Sequence, residues 1–328
     1  MNCVVIQGYG EELSHLVFQT REDLVATGEN IRVRVSATAL NRADLLQRRG
    51  LYPAPPGASP DIPGLEFVGM IDQVGDNVTE WKGGERVFGI VAGGAYAEQL
   101  LTHQRMAVVV PEGMSDVEAA AIPEAFIAAH DALVTQGGMR SGDVLLIHSV
   151  AGGVGTAALQ MANLWGARAI GTAGSREKLD AVGKLAPFFP INYKKEDFKQ
   201  AVEAQFGQDA VDLILDTVGA SNWQRNLALL RSQGRLILLG LLGGTTAETP
   251  LGLLLAKRIR IMGTVLRSRP LEEKTLATQA FAHQLLPHFA SRRLRPVLDS
   301  VFPFHQLHEA TARMEQNQNV GKIVLTFS

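Results

Sequence analysis

The stretch 148-HSVAGGVGTAALQ-160 runs from an apolar segment ending at His148, through Gly152, Gly153 and Gly155, into residues rich in Ala, Leu and Met at helical spacing. The segment before it, 143-DVLLIHS-149, has the length and composition of a buried parallel strand. A glycine-rich joint between a strand and a helix lets backbone approach a phosphate closely. The free amides and the positive end of the helix dipole there favour an anion. The pattern is one glycine short of G-x-G-x-x-G, because Val150 stands where the first glycine belongs. Taken alone, the joint is equally a tight structural turn, and the rest of the chain has to decide.

Downstream, strands and helices alternate. Strands are expected at Asp143–Ser149, Arg168–Gly174, Val211–Val218, Arg235–Leu241 and Ile259–Val265, with a short one near Ile191–Tyr193. Helices are expected between them at Gly155–Gly166, Ser175–Leu185, Glu196–Phe206 and Asn222–Arg231. Strand–helix–strand units at this spacing give right-handed crossovers and a parallel sheet covered on both faces. Upstream the character differs. Ile31–Leu40 alternates as a half-buried strand does, and 66-EFVGMIDQVGDNV-78 and 85-ERVFGIVAGGAYAEQLL-101 read as strands with glycine turns. Five prolines make Leu51–Glu66 an irregular loop. Ser115 and Glu118 form a capping box that opens a helix. After Val265 comes a long helical segment. The closing 319-NVGKIVLTF-327 is a strand with no slot in the parallel sheet, so it is expected to return to the first domain.

Composition narrows the function classes. The 328 residues suffice for roughly two domains, and 46% hydrophobic content supports real cores. Lys plus Arg number 31 and Asp plus Glu 33, so the net charge of -2 provides no general attraction to nucleic acid or an anionic membrane. A single cysteine, Cys3, excludes an intramolecular disulfide and fits a reducing compartment. No secretory leader is visible and the most apolar run, 234-GRLILLGLLGG-244, is too short to span a bilayer, so a cytoplasmic location is expected.

The end of the second strand of the alternating region bears on the cofactor. Dinucleotide folds place a carboxylate there for the adenine ribose. Here Ala173 and Gly174 are followed by Ser175, Arg176 and Lys178, a hydroxyl and two cations at a helix start. Each charge-assisted hydrogen bond to a 2′-phosphate contributes on the order of 1.5–3 kcal/mol, so the pattern favours NADPH over NADH.

Together, 41-NRADLLQRRGLYP-53, 63-PGLEFVGMIDQVGDNV-78, 119-AAAIPEAFIAAHDAL-133, 151-AGGVG-155, 172-TAGSREKL-179 and 191-INYKKEDF-198 resemble the quinone oxidoreductase branch of the medium-chain dehydrogenases/reductases. The nearest subgroup is the stress-induced NADPH:quinone reductases related to zeta-crystallin. The resemblance covers essentially the whole chain. It implies an α/β protein: a GroES-like β-rich catalytic domain from residues 1–123 and 266–328, plus a Rossmann domain, a doubly wound parallel sheet, from 124–265. It also implies a homodimer that continues the sheet through the strand near Arg258–Leu266, with a small-molecule substrate, while the near-neutral charge without a basic stripe argues against a nucleic-acid partner.

Zinc members of the superfamily ligate their metal with a Cys, the His of a G-H-E motif and a second Cys or a Glu. Here Asn41 and Leu65 occupy the first two positions and only Glu124 keeps an oxygen, so no metal is expected. His305 and His308 read as a solvated surface pair. A site without a Lewis acid suits reduction of an electron-poor acceptor, a quinone or a conjugated carbonyl. Asn41 and Tyr52 are the candidates to hydrogen-bond the acceptor oxygen, while Arg42 and Asp44 brace their loop. By resemblance the cofactor lies in a cleft between domains. It is held by Gly152, Gly153, Val154 and Gly155 at the pyrophosphate, and by Gly174, Ser175, Lys178 and Tyr193 at the adenosine phosphate. Gly240, Leu241, Leu242, Val265, Leu266 and Arg267 are assigned to the nicotinamide side, with Asn319 and Lys322 reaching back from the tail. Two other readings stand beside quinone reduction: an NADPH-dependent enoyl or 2-alkenal reductase, and a non-catalytic NADPH-binding protein of crystallin-like or RNA-binding type.

Overall fold

The computed structural model describes residues 1–327, which fall into two compact units, Met1–Ile127 with Leu266–Ser328, and Ala128–Val265. The first unit begins with an antiparallel pair, β1 (Asn2–Ile6) and β2 (Leu16–Thr20). There follow β3 (Asn30–Ala39), α1 (Arg42–Arg48), β4 (Glu66–Val74), β5 (Arg86–Ile90), β6 (Gln99–His103) and β7 (Ala107–Val109). Two short helices come next, α2 (Asp116–Ala120) and α3 (Pro123–His130). α2 opens on the expected box, with the Ser115 hydroxyl accepting from the Glu118 amide. β3 alternates buried and less buried positions over much of its length, because one face covers a core that it shares with β4, of Ile31, Val33, Val35, Phe67 and Ile71. The prolines of 51–65 keep that segment free of helix and strand.

The second unit contains β8 (Val144–Ile147), α4 (Gly153–Leu164), β9 (Arg168–Ala173), α5 (Arg176–Gly183), β10 (Phe189–Asn192) and α6 (Phe198–Phe206). It continues with β11 (Val211–Asp216), α7 (Trp223–Leu229), β12 (Leu230–Leu238), α8 (Leu251–Lys257) and β13 (Arg260–Gly263). All six strands are parallel in the order β10-β9-β8-β11-β12-β13, and β8 and β11 are buried throughout, as strands covered on both faces must be.

The chain then re-enters the first unit as α9 (Leu271–Ala290), β14 (Leu298–Pro303), α10 (Leu307–Glu315) and β15 (Lys322–Thr326). β15 pairs antiparallel with β3, which gives the terminal strand its slot in a seven-stranded sheet ordered β14-β15-β3-β4-β5-β7, with β6 as the seventh strand paired to β3. The expected mixture of a β-rich part with a parallel Rossmann sheet is therefore the observed one.

Several local expectations need correction. The segment read as loop after Asn41 is helix α1: the Asp44 carboxylate accepts the Asn41 amide at 2.8 Å and stabilises the first turn. The helix expected to reach Arg231 stops at Leu229, and Leu230 is already extended, paired opposite Val211. Helix α8 was not foreseen, because its seven residues are too few to establish a period. His308 is half-buried rather than freely solvated: its Nε2 lies 2.9 Å from the Leu16 carbonyl, and its ring packs against Phe18. Among the described residues, no helix is long and apolar enough to cross a membrane.

Candidate active site

In the second unit the chain leaves β8 through Ser149, whose φ of 56° is unfavourable for a residue other than glycine. The turn is over-determined. The Ser149 carbonyl accepts the Gly152 amide at 2.9 Å, and its hydroxyl accepts from the Thr217 hydroxyl at 3.0 Å. Gly152 then caps α4 in extended conformation with no side-chain cap, so the leading amides of the helix have no partner within it. A Cβ on Gly152 would approach only the Ser149 oxygen, at 3.4 Å. A Cβ on Gly155 would lie 2.3 Å from that oxygen and 2.7 Å from the Val150 backbone. The two glycines therefore differ in kind. Gly155 lets the helix press against its own turn, while Gly152 keeps the space above the amides open, and a phosphate fits that cradle.

Beneath this turn His148 is buried. Its ring nitrogens lie 3.0 Å from the Thr172 hydroxyl and 2.8 Å from the Asn226 Oδ1. The Asn226 amide donates to the Asp216 carboxylate at 3.0 Å, which also accepts the amides of Val218 and Gly219. Burial holds the imidazole's pKa down, so His148 ties strands together rather than carrying charge. The loop after β12 is hydrogen-bonded to the one after β11, Leu242 to Thr217 and Gly243 to Val218. Gly240 lies half-buried in that loop, while Leu241, Leu242 and Val265 present exposed side chains.

At the end of β9, a Cβ on Gly174 would meet the Tyr193 hydroxyl at 2.8 Å and the Lys194 Cε at 3.3 Å. Ser175 caps α5 by accepting the Lys178 amide at 3.4 Å, and Arg176 pairs with Asp180 at 2.9 Å. Lys194 is the residue that sequence reasoning missed. It is brought here because β10 pairs with β9, Asn192 opposite Ala173, a register that nothing in "YKK" reveals.

The first unit holds a buried ionic cluster. Glu66 on β4 is fully buried, and its Oε1 accepts Lys322 Nζ at 2.7 Å and the Asn41 amide at 2.8 Å. Its Oε2 accepts the backbone amide of Glu124 at 2.9 Å. Lys322 on β15 gives its other hydrogens to the Leu40 carbonyl at 2.7 Å and the Asn41 Oδ1 at 2.6 Å. The Asn41 side chain is thereby committed inside the cluster, with Ala39 O as a further acceptor. Asn319 is buried and bonds Gly321 O, and Leu266 is buried in the same unit. Arg267, also buried, donates to Ala92 O, Tyr52 O and Gln47 Oε1 at 2.7, 3.0 and 2.6 Å, and its guanidinium lies 5.0 Å from the centre of the Tyr52 ring. This stacking fixes the Tyr52 ring.

Of the cluster's groups without a hydrogen-bond partner, Asp44 Oδ1 and Gln47 Nε2 are buried, whereas the Tyr52 hydroxyl and the Glu124 carboxyl belong to half-buried residues. Burial raises the pKa of the Tyr52 hydroxyl, with the Glu124 charge adding to the effect. Burial, followed by the charge of Glu66, pushes Glu124 up to about 8, and burial pushes Asp44 to about 6. The sign of the pH dependence follows. Each group's contribution to stability is complete below its unfolded pKa and is lost as pH rises through its folded value. Stability is therefore expected to fall between roughly pH 4.5 and 8, by up to about 1.4 kcal/mol per pH unit per group. Urea titrations across that window should show the slope, and Glu124→Gln should flatten its upper half. A slope unchanged in the variant would contradict this electrostatic account.

Residues 27–112 match the alcohol dehydrogenase GroES-like domain and residues 153–282 match the zinc-binding dehydrogenase family. A six-stranded parallel sheet with a glycine cradle in one unit, and a β-rich other unit closed by the C-terminal strand, define a medium-chain dehydrogenase/reductase. Within that superfamily the chain belongs to the quinone oxidoreductase family. It is 30% identical over 298 residues to quinone oxidoreductase-like protein 2 of Bos taurus, covering 90% of this chain and 85% of the relative. It is 29% identical over 314 residues to quinone oxidoreductase of Homo sapiens, covering 94% and 93%. Among solved structures, Escherichia coli quinone oxidoreductase complexed with NADPH superposes with a TM-score of 0.89 at 25% identity, covering 99% of this chain and all of that one.

The zinc implied by the family description does not fit the residues present. Leu65 supplies no donor, Asn41 is committed to Glu66 and Lys322, and the Lys322 ammonium occupies the cation position beside the neighbouring carboxylate. Too few free ligands converge for a metal centre.

Proposed function

We propose that the protein is a zinc-independent, NADPH-dependent reductase of quinones. The observation that carries this reading is the contrast within the first unit. Asn41, Glu66, Lys322 and Arg267 have committed their polar groups to one another or to backbone, leaving the Tyr52 hydroxyl and Glu124 carboxyl to meet an acceptor. The second unit's part is to hold the dinucleotide: Gly152, Gly153, Val154 and Gly155 at the pyrophosphate, and Ser175, Lys178, Tyr193 and Lys194 at the 2′-phosphate. When bound, the reduced nicotinamide supplies a hydride. The Tyr52 hydroxyl donates a hydrogen bond to the acceptor oxygen, which strengthens as charge develops there. Arg267 is a positioning residue, holding the Tyr52 ring by stacking and its backbone by a hydrogen bond. We assign the pairing of two copies to the free edge of β13; α8, which precedes that strand in the chain, exposes Leu251 and Leu255.

The test is cofactor consumption with ortho-quinones and enones in parallel, with NADPH and NADH each titrated. Turnover of quinones with NADPH is expected, NADH binding at least about 100-fold more weakly. Tyr52→Ala should alter quinone kinetics more than NADPH affinity. Faster turnover of enones would reassign the acceptor. NADPH binding with no oxidation by either class would overturn the enzymatic reading.

A further inference from the structure

Hydride transfer to a quinone leaves a hydroquinone anion, and the reading above does not say where its proton comes from. We propose that the Glu124 carboxyl donates it; the assignment rests on the quinone-reductase reading.

An ammonium has three hydrogens, and those of Lys322 go to Leu40 O, Asn41 Oδ1 and Glu66 Oε1. None is left for a second carboxylate. Both oxygens of Glu66 are also in use, one for Lys322 and Asn41, the other for the Glu124 amide. That last bond holds the start of α3 against Glu66, so the Glu124 carboxyl shares the surroundings of the Glu66 carboxylate and the Lys322 ammonium. The Glu124 side chain accepts no hydrogen bond from any described residue. Facing it are Glu66 from β4, Asp44 from α1, Lys322 from β15, and Arg267 and Tyr52 from the adjoining loops. The two cations favour its ionised form, but burial and the two acids outweigh them, so the group stays protonated up to about pH 8. The positive end of α3 also favours the carboxylate, by up to about 1 kcal/mol, which is under one pH unit and too little to reverse the shift. A neutral carboxylic acid without an acceptor, on a half-buried residue and beside the Tyr52 phenol, is equipped to give a proton away and to recover one.

The step balances as follows. Hydride arrives at one end of the conjugated acceptor with its electron pair. A pair of π electrons moves to the oxygen at the other end. That oxygen forms a bond to the Glu124 proton, and the electrons of the broken O–H bond stay on the carboxylate. Water then reprotonates the carboxylate. One quinone, one hydride and one proton become one hydroquinone.

The test uses the intact chain and two acceptors at the extremes of product basicity. A tetrahalogenated benzoquinone yields a weakly basic anion that needs no acid, and a tetramethyl one yields a strongly basic anion that does. Glu124→Gln is expected to lower kcat on the tetramethyl quinone by about 100-fold and on the tetrahalogenated one very little. In the wild type, kcat for the basic acceptor should fall above about pH 8, and this fall should vanish in the variant. Glu124→Asp keeps an acid one methylene further back and should recover part of the loss. An equal loss on both acceptors, or a pH profile unchanged in Glu124→Gln, overturns the proposal. If the wild type reduces neither quinone, the functional reading itself fails and this assignment falls with it.

Discussion

Lys322→Met is expected to destabilise the protein by about 3–5 kcal/mol, since removing one partner strands a buried charge. Glu66 is fully buried and Lys322 is 4% exposed, so water cannot replace the lost ammonium. The variant also strips a donor from Asn41 Oδ1 and from the Leu40 carbonyl. Removing both charges together costs less: Glu66→Gln combined with Lys322→Met should recover much of the loss, because a buried pair replaced as a unit is often near neutral. Denaturant unfolding of the two single variants and the double variant forms the cycle. A loss under about 1 kcal/mol, the range of exposed pairs, would show that the cluster is solvated and would also weaken the account of Glu124.

The second large effect separates two neighbouring glycines. Gly152→Val should leave the fold nearly intact, because Gly152 has an ordinary backbone conformation and a Cβ meets only one atom, at 3.4 Å. Its branched side chain would fill the space above the α4 amides. Losing two charge-assisted phosphate bonds, at about 1.5–3 kcal/mol each, predicts a fall in NADPH affinity of at least about 100-fold. Gly155→Ala is expected to do the reverse. Alanine gains about 1 kcal/mol of helix propensity, but its Cβ would lie 2.3 Å from a backbone oxygen that cannot rotate away. A net loss of about 2 kcal/mol or more is expected. Melting temperature and NADPH titration of each variant decide it. A folded Gly152→Val that binds NADPH as the wild type does would move the phosphate site elsewhere.

The two units differed in how far their sequence could be read. The Rossmann strands and helices are stretches whose burial repeats regularly, so 143-DVLLIHS-149 and the Ala-rich run after Gly155 announced themselves. Element ends were less legible. β12 starts directly at the end of α7, because pairing with β11 and not composition decides where the chain becomes extended. In the first unit, Asn41 stood out as the residue replacing a ligand cysteine, but its role could not be read, since its partners come from β4 and β15, 25 and 281 positions away in the chain.

The chain by itself determined the fold class, the glycine-rich joint between strand and helix, and the absence of an acid after the second Rossmann strand. Each depends on residue type at short spacing, where local chemistry suffices. The tertiary structure alone decided which polar groups are committed and which are not. Lys322 and Arg267 look alike in sequence as isolated cations, yet both are buried with three acceptors apiece. Glu124 looks like any first-turn glutamate. Its pKa is raised first by burial and then by the Glu66 carboxylate that β4 brings beside it, and the Lys322 ammonium on β15 offsets only part of that rise. Long-range pairing sets desolvation and proximity, and those two quantities set the chemistry of a titratable group.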